Sequence, residues 1–350
     1  MLDHFLGKDL PATRYFSQRE KIIELFLSKN KNVINEKKIQ QVDRVKDISE
    51  ENLKKNYIVK GIPLVIEGKA KDWKCVKQWS LDWLSENYSK DEVAIFDPLN
   101  TENNTINYKV EETTLKDIIE SIKLGDTNKY SRFNRILYDH PELIDDFDWK
   151  WLYKMRNNIS SGKTFQVFIG GKGSQTSLHC ATENNLFTQV YGEKHWYLYP
   201  PKNDIFLNPP ITKSPYFYSK FNPENPDFNK FPSARFLTAF ECVLRPGDIL
   251  FNPPLWWHQV KNLNHSIGVG FRWFNPLNSI KASLAGTLMT LLSTNPPIWT
   301  SPNGSKASIC FWRRHNKAIF IKKPINGCKD RNPIYLFSRC QNNCYRTRSV

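Results

Sequence analysis

The 350-residue sequence lacks long apolar runs, and none approaches the about 20 residues that a membrane-spanning helix requires. Its first residues, MLDHFLGKDL, lack the basic flank and apolar stretch of a secretory signal. We therefore expect an intracellular, cytoplasmic protein with no membrane partner. Cysteine is also scarce: there are seven, and without an export signal they indicate reduced thiols and not a disulfide scaffold.

Acidic residues are almost absent from the last fifty positions. Residues 301–350 hold 11 Lys and Arg against one acid, Asp330, and so carry +10 of the net charge of +15. Four of the seven cysteines lie there too: Cys310, Cys328, Cys340 and Cys344. We expect residues 300–350 to form a poorly ordered basic tail. Two alternatives to a poorly ordered tail are a zinc site formed by its cysteines and a nucleic-acid contact formed by its basic residues.

In the part of the sequence before the tail, the predicted secondary structure changes near residue 160, from mainly helical to mainly strand-like patterns. Residues 1–160 predict helices and short strands: QREKIIELFLSKN has amphipathic helical spacing, and residues 57–59 and 63–66 are typical of strands. Ser80 is expected to cap a helix. Residues 161–276 contain short β-branched or aromatic runs between Gly, Pro and Asn turns, which predicts a mainly β sandwich or barrel with helical decoration.

Two further segments complete this organisation. An insertion at residues 203–232, rich in Pro, Asn and aromatic residues, is too long for a hairpin loop and is expected to fold over an opening. Residues 277–299 predict a C-terminal helix, with apolar residues at helical spacing in 279–293. This helix either packs on the core or forms the contact of a homodimer.

Two histidines, His179 and His258, lie in strand-like settings far apart in the sequence. Strands that are distant in sequence can meet in an antiparallel barrel, so the two imidazoles could share one metal ion. Hydrogen-bonded core histidines would show the same pattern. The residues alone leave both interpretations open.

The wider pattern around these histidines is more specific. It comprises Thr176-x-x-His179, the run NLF at residues 185–187, GEK at residues 192–194 and PGDILFNPPLWWH ending at His258. It resembles the Jumonji-C/cupin-like dioxygenases, and within them the asparaginyl-hydroxylase-like branch. The resemblance implies a double-stranded β-helix, which is a jelly-roll barrel, and Fe(II)- and 2-oxoglutarate-dependent hydroxylation of a protein or small-molecule substrate.

The resemblance also implies roles for individual residues. The metal ligands would be His179 and His258. The 2-oxoglutarate carboxylate would pair with the Lys194 ammonium, with the Thr176 hydroxyl nearby. The cosubstrate pocket would be lined by Asn185 and Phe187.

The sequence departs from the family at the acidic metal ligand, where Ala181 stands. Three outcomes follow. Glu183 could supply the third ligand if the strand bulges. Two histidines could hold iron with water or an anion in the remaining position, as in related halogenases that have a small residue there. Alternatively, the metal site is degenerate and the barrel is a non-catalytic binding module.

Overall fold

The computed structural model describes residues 13–30, 37–98, 108–126, 129–207, 209 and 217–292. The basic tail and its four cysteines lie outside these residues. The helices are α1 (Thr13–Lys29), α2 (Glu50–Asn52), α3 (Lys74–Gln78), α4 (Leu81–Tyr88), α5 (Leu115–Lys123), α6 (Ile136–Asp139), α7 (Trp149–Lys154), α8 (Pro276–Ala282) and α9 (Leu284–Leu291). No helix in this described part is long and apolar enough to cross a membrane.

Single-turn elements supplement these helices. A π-helical turn over Leu53–Ile58 continues α2, and 3₁₀ turns cover Pro141–Asp146, Pro201–Asn203 and Pro232–Phe236. The strand expected at residues 57–59 is therefore wrong. Its apolar side chains are those of a helical turn that buries Leu53 and Ile58, which local β propensity cannot distinguish from a short strand.

Fifteen strands lie in the described residues. They are β1 (Lys38–Gln41), β2 (Asp43–Val45), β3 (Leu64–Ile66), β4 (Glu92–Pro98), β5 (Tyr108–Thr114), β6 (Tyr130–Asn134), β7 (Ser161–Gly170), β8 (Gln175–Cys180), β9 (Asn184–Tyr191), β10 (Lys194–Tyr199), β11 (Phe217–Tyr218), β12 (Thr238–Leu244), β13 (Ile249–Asn252), β14 (Trp257–Asn262) and β15 (Ser266–Phe274).

These strands build two large sheets and one hairpin. The six-stranded sheet has the order β1-β12-β10-β14-β8-β11, and the seven-stranded sheet has the order β2-β3-β13-β9-β15-β7-β6. Strand pairs are antiparallel except β1–β12 and β2–β3, so both sheets are mixed. The two sheets face each other across a shared apolar core, as in a jelly roll. The predicted mainly β, cupin-like fold is confirmed.

Three apolar layers follow from the alternation of side chains along the strands. The π-helical turn and helices α3–α7 cover the outer face of the seven-stranded sheet. The inner layer between the sheets includes Phe168, Phe187, Trp196, Leu250 and Val260. The third layer packs the insertion against the outer face of the six-stranded sheet, through residues such as Leu178, Tyr197, Leu207, Phe221 and Trp257.

Strands from the first 134 residues also join the large sheets, since β1 pairs with β12, β3 with β13 and β6 with β7. The domain boundaries predicted near residues 160 and 276 stay predictions. Within the insertion, β11 pairs with β8 at the edge of the six-stranded sheet, and its register aligns Tyr218 with His179. The insertion thus adds a strand beside the predicted metal ligand.

The described part of the C-terminal helix predicted over residues 277–299 is two helices, α8 and α9, and residues 293–299 lie outside the described residues. Ser283 interrupts them with extended backbone, at φ −162° and ψ 110°. Its hydroxyl accepts a hydrogen bond from the Gly286 N–H, so the serine caps a new helix, a preference that apolar spacing does not reveal. Both helices expose large apolar side chains, at Leu277, Ile280, Leu284 and Leu291.

Candidate metal and dicarboxylate site

The two predicted metal ligands lie next to each other on adjacent strands. The register pairs His258 of β14 with His179 of β8, and the ring centroids are 4.2 Å apart. Their neighbours Cys180 and Trp257 belong to the layer on the outer face of this sheet, so both histidines point to the inner side. Cys180 is a buried thiol on the face opposite His179.

Backbone carbonyls fix the tautomer of both rings. His179 Nδ1 lies 2.8 Å from the Ser177 carbonyl oxygen, and His258 Nδ1 lies 2.9 Å from the Trp256 carbonyl oxygen. Because a carbonyl only accepts hydrogen bonds, these contacts favour the proton on each Nδ1, although His258 Nδ1 also lies 3.2 Å from Asn252 Nδ2. The Nε2 lone pair of each ring is then the one that can bind a metal. Two neutral imidazoles with free Nε2 lone pairs are suitable donors for a divalent transition metal.

The surroundings keep both imidazoles neutral. Burial, with smaller contributions from the guanidinium groups of Arg272 and Arg132, lowers the pKa of His179 to about 4. Burial also lowers the pKa of His258 well below its ordinary value, and His179 and Arg272 act in the same direction. Metal ligation requires the neutral form, which both rings therefore hold at neutral pH.

The loop that precedes His258 is tied to the end of β8. Leu255 adopts a left-handed backbone conformation, at φ 59°, which is strained for a leucine. Its N–H donates a 2.7 Å hydrogen bond to the Ala181 carbonyl, and its side chain is buried. This contact fixes the loop that carries one histidine relative to the strand that carries the other.

No carboxylate completes the histidine pair. Glu183 lies in the bend between β8 and β9, and the described residues contain no group of three or more His, Cys, Asp or Glu side chains that could hold a metal. In the described part of the chain, Glu183 therefore does not group with the histidines. Ala181 is buried at the end of β8 and supplies no charge. The residues present fit a metal through two donors.

Lys194 is the predicted partner of the cosubstrate carboxylate, and its side chain is 0% exposed. Its Nζ donates to Asn262 Oδ1 at 2.5 Å and lies 5.3 Å from the centre of the Tyr130 ring. No described carboxylate lies within ion-pair distance of Nζ. Burial lowers the pKa of Lys194 to about 7, and Arg132 contributes to the lowering. An unpaired buried ammonium is costly, which indicates a place for an anion.

Thr176, also predicted, approaches this lysine through Tyr130. A hydrogen bond joins the Thr176 and Tyr130 side chains, and burial raises the pKa of the phenol. Tyr130 is thus a protonated phenol whose ring lies beside the Lys194 ammonium. Its position could not be predicted from the motif, since it belongs to β6, well upstream of the strands that carry the other residues.

Asn185 and Phe187 lie on the inner face of β9. The Phe187 ring stacks edge to face on Trp196, with centroids 4.9 Å apart, and Trp196 stacks on His258 at 5.5 Å. A Cβ on Gly268 would lie 2.4 Å from Phe187 Cζ and 3.1 Å from Lys194 Cε. Aromatic contacts therefore link the histidine pair to the lysine, and Gly268 leaves room between them.

Several polar atoms on the inner faces are buried without a hydrogen-bond partner. They are Oδ1 and Nδ2 of Asn185, Oε1 of Gln166 and Nε1 of Trp196. Such groups are rare in folded proteins, and their clustering indicates that a polar ligand or water belongs there. The sequence predicted Asn185 as a site residue but not Gln166 or Trp196. The available signal for these two is that each lies two residues from an inward-facing residue of its strand, Phe168 on β7 and Leu198 on β10.

Two facing sheets in a jelly roll define a cupin-like class of protein, and here their inner faces carry a histidine pair and a buried lysine. Residues 50–280 match the family model of the Cupin-like domain, and the chain belongs to this Jumonji-C/cupin-like family. The resemblance found in the sequence is thereby confirmed.

Curated relatives agree with this assignment. The chain is 28% identical over 263 residues to "JmjC domain-containing protein D" of Dictyostelium discoideum, covering 69% of this chain and 58% of that protein. It is 26% identical over 225 residues to "Lysine-specific demethylase 8" of Xenopus tropicalis, covering 64% and 50%. It is 28% identical over 278 residues to "Arginine-specific demethylase JMJ20" of Arabidopsis thaliana, covering 69% and 58%. The chain thus spans about half to three fifths of these relatives.

Proposed function

We propose that this protein is an Fe(II)- and 2-oxoglutarate-dependent oxygenase that oxidises a C–H bond of a protein or small-molecule substrate. One observation carries the proposal: Lys194 is fully buried with no carboxylate partner among the described residues, and it lies on the inner side of the same sheet as a neutral histidine pair. A dicarboxylate that also ligates a metal satisfies both groups at once.

Different side chains would bind the iron and the 2-oxoglutarate. The Nε2 atoms of His179 and His258 would hold the iron, and their Nδ1–H bonds to backbone carbonyls keep the rings oriented. Lys194 would pair with the far carboxylate of 2-oxoglutarate, while the hydroxyls of Tyr130 and Thr176 lie on the same side of the cavity. Iron and the oxoacid together supply the activation of O₂.

The aromatic side chains of the cavity exclude water from this region. Phe187 and Trp196 lie between the lysine and the histidines, and both are almost fully buried. A dry cavity strengthens the electrostatic attraction between Lys194 and a carboxylate and protects reactive species from side reactions. The names of two relatives, a lysine-specific and an arginine-specific demethylase, support oxidation of a protein side chain as the substrate class to test first.

Ala181 favours a second candidate function, a non-catalytic binding module. Without the carboxylate at this position the pocket could hold a peptide, an anion or a small molecule and no metal. Lys194 would then bind the acidic group of that ligand.

Anaerobic Fe(II) titration in the presence of 2-oxoglutarate separates the two functions. The oxygenase gives a metal-to-oxoacid charge-transfer band, and succinate forms when air is admitted. Neither signal appears for a binding module.

Matched variants connect these signals to the named residues. His179→Ala should abolish the band, whereas His195→Ala should keep it because His195 lies on the outer face with Glu241 as its partner. Lys194→Met should weaken 2-oxoglutarate binding by about 100-fold, the loss of a buried charge-assisted pair. Lys261→Met is its control, since Lys261 pairs with Glu224 outside the cavity.

A further inference from the structure

In the part of the chain that the structure describes, the ammonium of Lys194 has a single hydrogen-bond partner, the side-chain amide of Asn262. The two residues are cross-strand neighbours, since the register pairs Lys194 of β10 with Asn262 of β14. Nζ donates to Oδ1 at 2.5 Å, and the two residues are 0% and 1% exposed. The amide therefore fixes the place of the ammonium in the cavity.

The surroundings of the Asn262 amide determine which of its atoms faces the lysine. Nδ2 donates to the Ser174 hydroxyl at 2.8 Å and to the Gly171 carbonyl at 3.2 Å. A carbonyl only accepts hydrogen bonds and an ammonium only donates them, so Oδ1 must be the atom at Nζ. The Asn262 N–H also donates to the Ser174 carbonyl, and the Gly173 N–H donates to the Asn262 carbonyl. The backbone and the side chain thus hold the amide in one orientation.

A glycine leaves the space that this amide occupies. A Cβ on Gly170 would lie 2.5 Å from Asn262 Nδ2 and 2.8 Å from Ser174 Oγ. It would also lie 2.6 Å from Cδ2 of Tyr130, the ring beside Lys194. A larger residue at position 170 would therefore displace the amide or the ring. Three separate segments of the chain meet here to hold one buried amide against the lysine.

Asn262 gives the lysine an acceptor without giving it a counter-ion. An aspartate of the same size would form an ion pair with the ammonium, whereas the amide accepts the hydrogen bond and leaves the positive charge in place. The cost is visible in the pKa of Lys194, which burial first and Arg132 second lower to about 7. The Tyr130 phenol, another titratable group beside the lysine, is kept protonated by burial and carries no charge.

We propose that Asn262 is a positioning residue that holds Lys194 in place without neutralising it, so that the charge of the lysine stays available to a carboxylate ligand. The inference rests on the proposed function in one respect, since it takes Lys194 as the group that pairs with the dicarboxylate. It requires no metal and can be tested on the metal-free protein.

The first measurement is 2-oxoglutarate binding to the metal-free full-length protein, by isothermal calorimetry at about pH 6.5, where most of Lys194 is charged. Asn262→Asp should lower the affinity about 100-fold, because the new carboxylate pairs with the ammonium and repels the ligand. Asn222→Asp is the matched control. Asn222 accepts a hydrogen bond from Gln259 of the same strand but lies outside the cavity, so the affinity should change less than about twofold.

The pH dependence of stability supplies a readout that simple damage to the structure would not change. In the unchanged protein Lys194 is mostly neutral above about pH 7, while the unfolded chain keeps this lysine protonated, so the lysine makes stability rise with pH. In Asn262→Asp the lysine stays charged when folded, and this contribution disappears. Relative to the unchanged protein, the folding equilibrium constant of the variant should fall by up to about tenfold per pH unit above pH 7. Urea unfolding at several pH values measures the difference.

A second variant keeps the test decisive if Asn262→Asp does not fold. Asn262→Leu has a similar volume but no acceptor, so the ammonium is less stable and the pKa of Lys194 should fall further. The pH above which 2-oxoglutarate binding weakens should move down by about one unit, which is about a tenfold loss of affinity above pH 7.

The outcomes separate this inference from the proposed function. The inference is overturned, and the oxygenase proposal stands, if Asn262→Asp binds 2-oxoglutarate within about threefold of the unchanged protein. It is also overturned if the affinity falls but the pH dependence of stability is unchanged, because the lysine is then not paired with the aspartate. With Asn262→Leu, an unchanged pH profile has the same meaning. Absence of 2-oxoglutarate binding to the unchanged protein, both without and with Mn(II), would overturn both proposals.

Discussion

The two faces of strands β9 and β15 differ sharply, although alternate residues of the same two strands form them. The outer face carries Leu186, Val190, Val269 and Phe271, which pack in a dry apolar layer against the helices. The inner face carries the glycines and polar groups of the cavity, several of them without partners. The outer face supplies the stability that lets the inner face keep costly groups such as the Asn185 amide, whose two polar atoms are buried without a partner.

The largest effect should come from the outer face. Leu186→Ala removes a side chain that is 0% exposed and should lower the free energy of unfolding by about 2–5 kcal/mol, the cost of a cavity in a packed core. Urea unfolding measures this, with Leu124→Ala, at an 88% exposed position, as a control of less than about 0.5 kcal/mol. Similar losses for both variants would show that this layer does not carry the stability.

On the inner face, binding should change more than stability. Gly268→Ala places a Cβ 2.4 Å from Phe187 Cζ, so the ring must move into the space beside Lys194. We expect 2-oxoglutarate affinity to fall about tenfold, equal to about 1.4 kcal/mol, within the usual range for overpacking. Isothermal calorimetry measures it. Gly171→Ala is the control, since its Cβ would have only 3.4 Å contacts outside the cavity; equal losses in both variants would contradict the prediction.

The inner face should also respond to pH. Burial first, and Arg132 second, lower the pKa of Lys194 to about 7, so the side chain is charged below that pH and neutral above it. Binding of a dicarboxylate to the metal-free protein should weaken as the pH rises above about 7, by up to about tenfold per pH unit, because a proton must then be taken up. Calorimetry in buffers of different ionisation enthalpy detects that uptake, and Lys194→Met should remove the dependence.

The smallest expected change in stability is for substitutions on the apolar surface of α8 and α9, which lies outside both faces of β9 and β15. Leu277, Ile280 and Leu284 on α8 and α9 are 63%, 44% and 58% exposed, which keeps the homodimer predicted from the sequence worth testing. A dimer formed there should dissociate on Leu284→Glu but not on Leu124→Glu, with little change in either fold. Light scattering after size exclusion measures the mass, and a monomeric unchanged protein would refute the dimer.

The sequence was a good guide where local pattern and fold agree. Short apolar runs between turn residues predicted strands β7, β9, β10 and β12–β15, and the serine at position 80 caps α4 as expected. It was misleading where several structures share one pattern. Residues 57–59 have strand-like side chains but complete a helical turn, and Ser283 divides what apolar spacing presents as one helix.

The candidate site was predictable only in part, for geometric reasons. The motif located the histidines and Lys194 because they follow one another in the barrel strands. The orientation of Arg272 stayed open in the sequence, since alternation fixes which residues share a face but not which face is inside. Gly268 and Gly270 supply that answer through the side chains they approach. Tyr130 comes from β6, and only the pairing of β6 with β7 brings it to the lysine.

The short strand β11 has a wider consequence. It pairs directly with β8, so Tyr218 of the insertion aligns with His179, and further along the insertion Asn222 accepts a hydrogen bond from Gln259. The insertion must keep buried residues such as Leu207 and Phe221 that pack on the barrel, but its residues outside that layer can vary without disturbing the barrel core. Selectivity for different molecules could diverge by exchange of this one segment, with the histidines and the lysine left unchanged.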